Sequence, residues 1–182
     1  MNLEEKLLKI LYEAPNSDEI GELAEHLEQK SDFILNKNSE RLKGIWELRW
    51  SSSKSPFLRY SPFIDNLQII DPVLLKAMNL LKPKGINKII GSAILAKLDQ
   101  INSTRIGVTF THAGILGPNL GRFKIKALAK INKLQEGWLD ITYLDNNIRI
   151  CRGDKGTLFV LVKRKNVDLF KDFTKFNEGF NS

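Results

Sequence analysis

The chain has 182 residues, 42% hydrophobic and 27% charged, the composition of a globular domain built on one core. No apolar run approaches the roughly 18 residues of a membrane-spanning helix, and a single cysteine, Cys151, excludes an internal disulfide and fits a reducing interior. The net charge of +7 favours anionic partners, nucleic acid or an anionic membrane surface; Lys124, Lys126, Lys130, Lys133 and Lys163-Arg-Lys165 are its densest stretches.

The N-terminus, Met1-Asn-Leu-Glu-Glu-Lys6, has neither the apolar core of a signal peptide nor the acid-poor look of a transit peptide, so the chain is expected either to stay in the compartment where it is made, an intracellular, cytoplasmic setting, or to be a processed or trimmed form. Leu3, Leu7, Ile10 and Leu11 sit at helical spacing in residues 2–14. Past Pro15, Asn16 with Glu19 suggests a capping box, and Ile20, Leu23, Ala24 and Leu27 form a second apolar stripe. These two amphipathic helices are assigned to an N-terminal unit, residues 1–35. They pack on their own domain or dock a partner or membrane.

The period changes from residue 42 onward. Ile45-Trp-Glu-Leu-Arg-Trp50 alternates, with Trp46, Leu48 and Trp50 expected on one face and Glu47 and Arg49 on the other. A strand is expected at 63–70. Val73, Leu74, Ala77, Leu80 and Leu81 suggest a short helix over 72–81, closed by Pro83 and Gly85. Further strands are expected at 86–98, 103–112, 121–130, 138–143, 147–152 and 157–164, then a short helix from Asn166 to Phe176. Phe123, Ile125 and Ala127 alternate with Lys124 and Lys126, as in a half-buried strand with a solvated basic face. Gly114 to Gly121 is glycine-rich and suggests a mouth loop or turn. Eight regularly spaced strands predict a mainly β antiparallel barrel over 36–182, its interior suited to side chains or one small ligand.

The closing segment carries the most information. Asp145-Asn-Asn147 and Asp154-Lys-Gly156 supply turn chemistry for two tight connections, and Arg149 and Arg152 occupy strand positions on opposite faces. Gly44-x-Trp46 opens the first strand in the manner of lipocalin-like barrels, where an arginine from a late strand stacks on the indole. Arg149 or Arg152 supplies that group. The other faces solvent or a carboxylate, with Asp140 and Asp154 as candidates.

The two ends together resemble the plastid lipid-associated proteins, or plastid fibrillins, a family with cyanobacterial members. Leu42-x-Gly44-x-Trp46-x-Leu48-x-Trp50-Ser-Ser is similar to the family's opening strand, where the position of Trp50 is more often tyrosine. Phe63-Ile-Asp-Asn-Leu-Gln-Ile-Ile-Asp71 resembles its second strand. Tyr143-Leu-Asp-x-x-Ile-Arg149-Ile-x-Arg152-Gly-Asp154-x-Gly156-x-x-Phe159-Val-Leu161 resembles its closing signature. The similarity covers roughly 20–164; the short N-terminus departs from the plant members, which carry a transit peptide, and a cyanobacterial-type member is expected. The resemblance implies a lipocalin-like eight-stranded barrel that binds or shields isoprenoid lipids, carotenoid or quinone, peripherally on thylakoid membranes or at lipid bodies, without catalysis and without a cofactor.

The residue chemistry points the same way. His26 and His112 lie far apart, His112 at the end of an alternating strand, and no Cys/His cluster, phosphate-cradling glycine loop or nucleophile motif is present. Trp46, Phe110, Tyr143, Arg149 and Arg152 are the expected ligand-binding residues, with Trp46 first a core anchor. Asp140 and Thr142 offer further polar groups. The competing readings are a lipocalin-like bilin chromophore lyase, an arginine gripping the propionates, and a basic barrel for RNA. The lysine-rich strand lacks the interleaved exposed aromatics that RNA stacking needs, so no nucleic-acid partner is expected.

Overall fold

The computed structural model describes residues 1–86, 90–120, 123–165 and 167–178. Eight antiparallel strands follow one another round a closed barrel, β8 pairing with β1. They are β1 (Gly44–Ser51), β2 (Ile64–Asp71), β3 (Lys76–Pro83), β4 (Gly91–Gln100), β5 (Arg105–Leu120), β6 (Phe123–Leu144), β7 (Ile148–Gly153) and β8 (Leu158–Arg164). Helices α1 (Leu3–Glu13), α2 (Glu19–Gln29), α3 (Leu35–Leu42) and α4 (Val167–Glu178) surround it.

The strand number matches the sequence expectation, but two assignments changed places. The expected helix at 72–81 is the β2–β3 turn and the strand β3. Ala77 is buried inside the barrel, while Met78 and Leu80 are buried outside it beneath α4. A strand covered on both faces loses its polar alternation, and its apolar residues then fall by chance at helical spacing. Conversely, the strands expected at 121–130 and 138–143 are one long strand, β6. The glycine-rich mouth loop is mostly strand as well: residues 114–120 continue β5, so His112 is internal to it, and Gly121 lies outside the described residues. Gly114 stands where β6 comes close, since a Cβ there would lie 1.9 Å from the Ala127 carbonyl oxygen.

The first helix carries the capping box, Asn2 with Glu5, rather than the second. Asn16 does not cap α2, whose N-cap is Asp18, with the Ser17 hydroxyl accepting from the Glu19 N–H. α1 and α2 lie on the outer wall of β7 and β8, burying Leu7, Leu11, Ile20, Leu23 and Leu27 against Ile148, Ile150, Leu158, Val160 and Val162. The expected C-terminal helix is present as α4; Leu169 and Phe173 pack on the outer faces of β1 to β5. The sequence did not announce α3. It closes one end of the barrel, with Leu35 and Leu42 entering the interior cluster and the Leu35 N–H donating to the Ser103 carbonyl at 2.7 Å.

Candidate functional site

Three structural decisions shape the barrel interior. The first is Gly44, at φ +135°, a conformation L side chains rarely adopt; it starts β1 with the stem of Lys163 packed where a side chain would stand. The next inward residue is Trp46, fully buried, its indole N–H donating to the Leu42 carbonyl of α3 at 2.8 Å. Trp46 is thus the floor of the barrel and the attachment point of the helix that seals it.

The second is a pair of bulges. Register slips between Leu48 and Trp50 on β1, so Leu48 points inward while Trp50 turns out to pack with α1 and α2. This corrects the expectation that Trp46, Leu48 and Trp50 share a face. A second slip, between Ile141 and Tyr143 on β6, leaves Ile141 and Leu144 inside and sends Tyr143 out, where its hydroxyl meets Asp145 at 3.0 Å and Glu4 at 3.3 Å. Burial, then Asp145 and Glu4, hold the Tyr143 phenol well above the usual tyrosine range.

The third decision is the facing of the two arginines. Arg149 points inward, 1% exposed, its guanidinium carbon 5.1 Å from the Trp46 ring centre, and Nη2 donates to Gln68 Oε1. Its Nε has no acceptor. Lys163 approaches the same ring, Nζ at 5.0 Å, and donates to the Arg41 carbonyl at 2.8 Å. Burial lowers the pKa of Arg149; burial and then the Arg149 charge lower that of Lys163. Cys151, one inward position beyond Arg149, is buried, and that burial raises its thiol pKa. No carboxylate pairs with Arg149 among the described residues.

Arg152 faces out. It makes a bidentate pair with Glu28 of α2, at 2.6 and 3.0 Å, with Glu25 at 3.6 Å. The carboxylate partner is therefore neither Asp140 nor Asp154. Asp140 instead holds Arg105 bidentately at 2.7 Å, and Arg105 stacks 3.7 Å from the Trp138 ring centre. Of the five expected ligand-binding residues, Trp46, Arg149 and Phe110 share the interior, while Tyr143 and Arg152 fasten α1 and α2 to the outer wall.

Leu98, Val108, Phe110, Leu139 and Phe159 point inward from four strands and pack against this interior cluster, yet each keeps part of its surface accessible. Farther along, β6 pairs with β7 from Leu139 to Leu144, so among the described residues the upper β5–β6 hairpin has no strand paired on that side. Its inward face, continued on β4, is apolar and open: Ile94 is 36% exposed and Ile115 62%, with Ala127 and Ala129 beside them. The reverse face of β4 is buried under α4. The side chains of Phe123 to Lys126, expected to form an alternating basic strand, lie outside the described residues.

Glu47, Arg49, Asp65 and Lys82 form a buried ionic group on the outer wall that the sequence did not single out. Lys82 Nζ donates to Asp65 at 2.6 Å and to the Ile86 carbonyl at 2.6 Å, and Arg164 reaches Glu47 at 3.0 Å. Arg49 donates to the Leu11 carbonyl at the end of α1, 2.7 Å, and lies between the rings of Tyr12 and Tyr60. These groups are mutually paired and hold elements together. The described residues contain no group of His, Cys, Asp and Glu that could hold a metal, and no helix long and apolar enough to cross a membrane.

The chain matches the PAP_fibrillin family model over residues 5–162, nearly its whole described length. It is similar to the probable plastid-lipid-associated protein 12, chloroplastic, of Arabidopsis thaliana, 31% identical over 138 residues. That match covers 69% of this chain and 34% of the relative, so the chain spans about a third of the relative's length. No solved structure matches it.

Proposed function

From membership of the PAP and fibrillin family of plastid lipid-associated proteins, to which this chain belongs, we propose that it carries or shields an apolar, isoprenoid-type lipid without catalysing a reaction on it. The lipid lies in the open part of the barrel, along Leu98, Val108, Phe110, Leu139 and Phe159, and extends over Ile94 and Ile115. Trp46 and Arg149 form the floor beneath it. The protein works peripherally at a thylakoid or lipid-body surface.

One observation carries this reading: inward-facing apolar side chains that the barrel leaves accessible. In a side-chain-filled barrel such positions are buried, and an apolar concavity of this kind is what small apolar ligands favour. The test is purification from a photosynthetic host followed by solvent extraction and chromatography. A carotenoid, quinone or related lipid in constant proportion to protein is expected, and Phe110→Asp lowers that proportion. Repeated absence of any extractable lipid, with no uptake of an added quinone or carotenoid, overturns the reading.

A further inference from the structure

The strand connections at the end opposite α3 present four exposed apolar side chains. Phe57, in the short 3-10 turn Pro56–Leu58, is 73% exposed and Phe63, just before β2, is 79% exposed; Leu58 and Ile64 accompany them. Such residues on convex loops cost solvation unless something covers them. The segment Ser51–Ile64 contains Lys54 and Arg59 and no acidic residue. Neither of these cations makes an ion pair among the described residues, while Lys84 donates to the Tyr60 hydroxyl at 3.1 Å.

Beside these loops a cleft of about 240 Å³ opens between the α1–α2 connection and residues 51–60. Lys54, Arg59, Tyr60 and Ser53 line one side, and Asn16 and Asp18 the other. The Tyr60 phenol is pulled below the usual tyrosine range by its hydrogen bond to Lys84. The cleft is thus a predominantly cationic and hydroxylic recess immediately next to the exposed phenylalanines. Asp18 is the acidic residue that lines it, and Glu47 lies 3.9 Å from Lys84.

We propose that this end of the barrel is its docking face for a bilayer containing acidic lipids. Phe57 and Phe63 enter the boundary between head groups and acyl chains, Lys54, Arg59 and Lys84 lie level with the lipid acidic groups, and the cleft receives one acidic head group. Aromatic tips flanked by cations are the chemistry of interfacial binding. A second copy of the chain would bring the same cations face to face, so it is the poorer complement. The inference rests on the lipid-carrying reading and adds a direction to it: the docked face is the one at which Ile94 and Ile115 leave the barrel open, so an apolar ligand passes between bilayer and barrel without crossing water.

A second exposed apolar cluster, Val73, Leu74, Leu75 and Ile101, lies at the end closed by α3. It supplies the internal control. Co-flotation is measured with phosphatidylcholine vesicles, with and without phosphatidylglycerol, for the full chain, for Phe57→Ser/Phe63→Ser, for Lys54→Glu/Arg59→Glu and for Val73→Ser/Leu74→Ser. All three variants change surface residues, and circular dichroism checks their fold. The unchanged chain binds the phosphatidylglycerol vesicles and releases with salt. The phenylalanine pair lowers partition by about tenfold or more, each removed cation by about fivefold, and the Val73/Leu74 pair leaves it unchanged. Equal binding by the phenylalanine variant, or loss confined to the Val73/Leu74 variant, overturns the proposed face while leaving membrane association standing. A concentration-dependent dimer abolished by Phe57→Ser/Phe63→Ser assigns the face to a second copy and also overturns it. Failure of the unchanged chain to bind either vesicle removes membrane docking altogether, whereas the lipid extraction from the purified protein still reads the barrel separately.

Discussion

Arg149 is buried beside an indole, an amide oxygen and a thiol, with no carboxylate among the described residues to balance it. Its attractions are a desolvated cation–π contact and one charged hydrogen bond, each worth about 2 kcal/mol. Burying the charge costs several kcal/mol, of the same order. Arg149→Met should therefore change the stability measured by urea unfolding by no more than about 1 kcal/mol. A loss of several kcal/mol would show that the guanidinium holds the barrel floor outright. The tyrosines make a pH prediction. Tyr60 is held below the ordinary value of 10.0 and Tyr143 above it. For Tyr143 the folded-state pKa is the higher, so its contribution to stability is complete below the unfolded value and fades as pH rises past it. Tyr60 runs the other way. In a tyrosinate absorbance titration, Tyr60→Phe should remove the earliest rise; Tyr143→Phe should leave that rise intact and flatten the alkaline decline in stability.

At the scale of elements, legibility failed wherever a strand was bulged or covered on both sides. The turn residues at 145–147 and 154–156 and the Gly44-x-Trp46 start are local signals, so β1, β7 and β8 could be placed within a residue or so. Arg149 and Arg152 could be assigned to opposite faces because β7 has no register slip. The facing of Trp50 and Tyr143 depends on bulges at residues 49 and 142, which leave no mark in the pattern of side chains. β3 was hidden because α4, nearly a hundred residues later, covers its outer face. The β2–β3 hairpin also carries an ionic lock. Lys82 is buried against Asp65, and replacing it with methionine leaves that carboxylate in place without its closest partner. Lys82→Met should destabilise by about 3 kcal/mol in the same urea experiment, because an orphaned buried charge costs more than an absent pair. Lys82→Met/Asp65→Leu should recover most of the loss.

For the whole molecule, composition and strand spacing foretold a barrel, and the two terminal motifs placed its closing seam. They could not say how far the barrel is open. That depends on β5 and β6 outrunning their neighbours, a property of relative strand length rather than of any motif. Nor could they place the N-terminal helices, which lie on the outer wall through Arg152–Glu28, Arg49–Leu11 and a shared apolar layer. The expected polar contacts of Tyr143 and Arg152 are used up in that attachment.

Cys151 gives the protein a built-in clock. It is the chain's single cysteine, and it sits inside the barrel one inward position from Arg149. A disulfide reagent added to the native protein therefore reacts only when the wall around β7 opens, and the labelling rate counts those openings. Native labelling should be slower than labelling in urea by on the order of a thousandfold or more. An apolar lipid resting on Phe110 and Phe159 should slow it further, so the same thiol times the loading and release of the barrel. Rapid labelling of the native, empty protein would mean that β7 breathes independently of the rest of the fold.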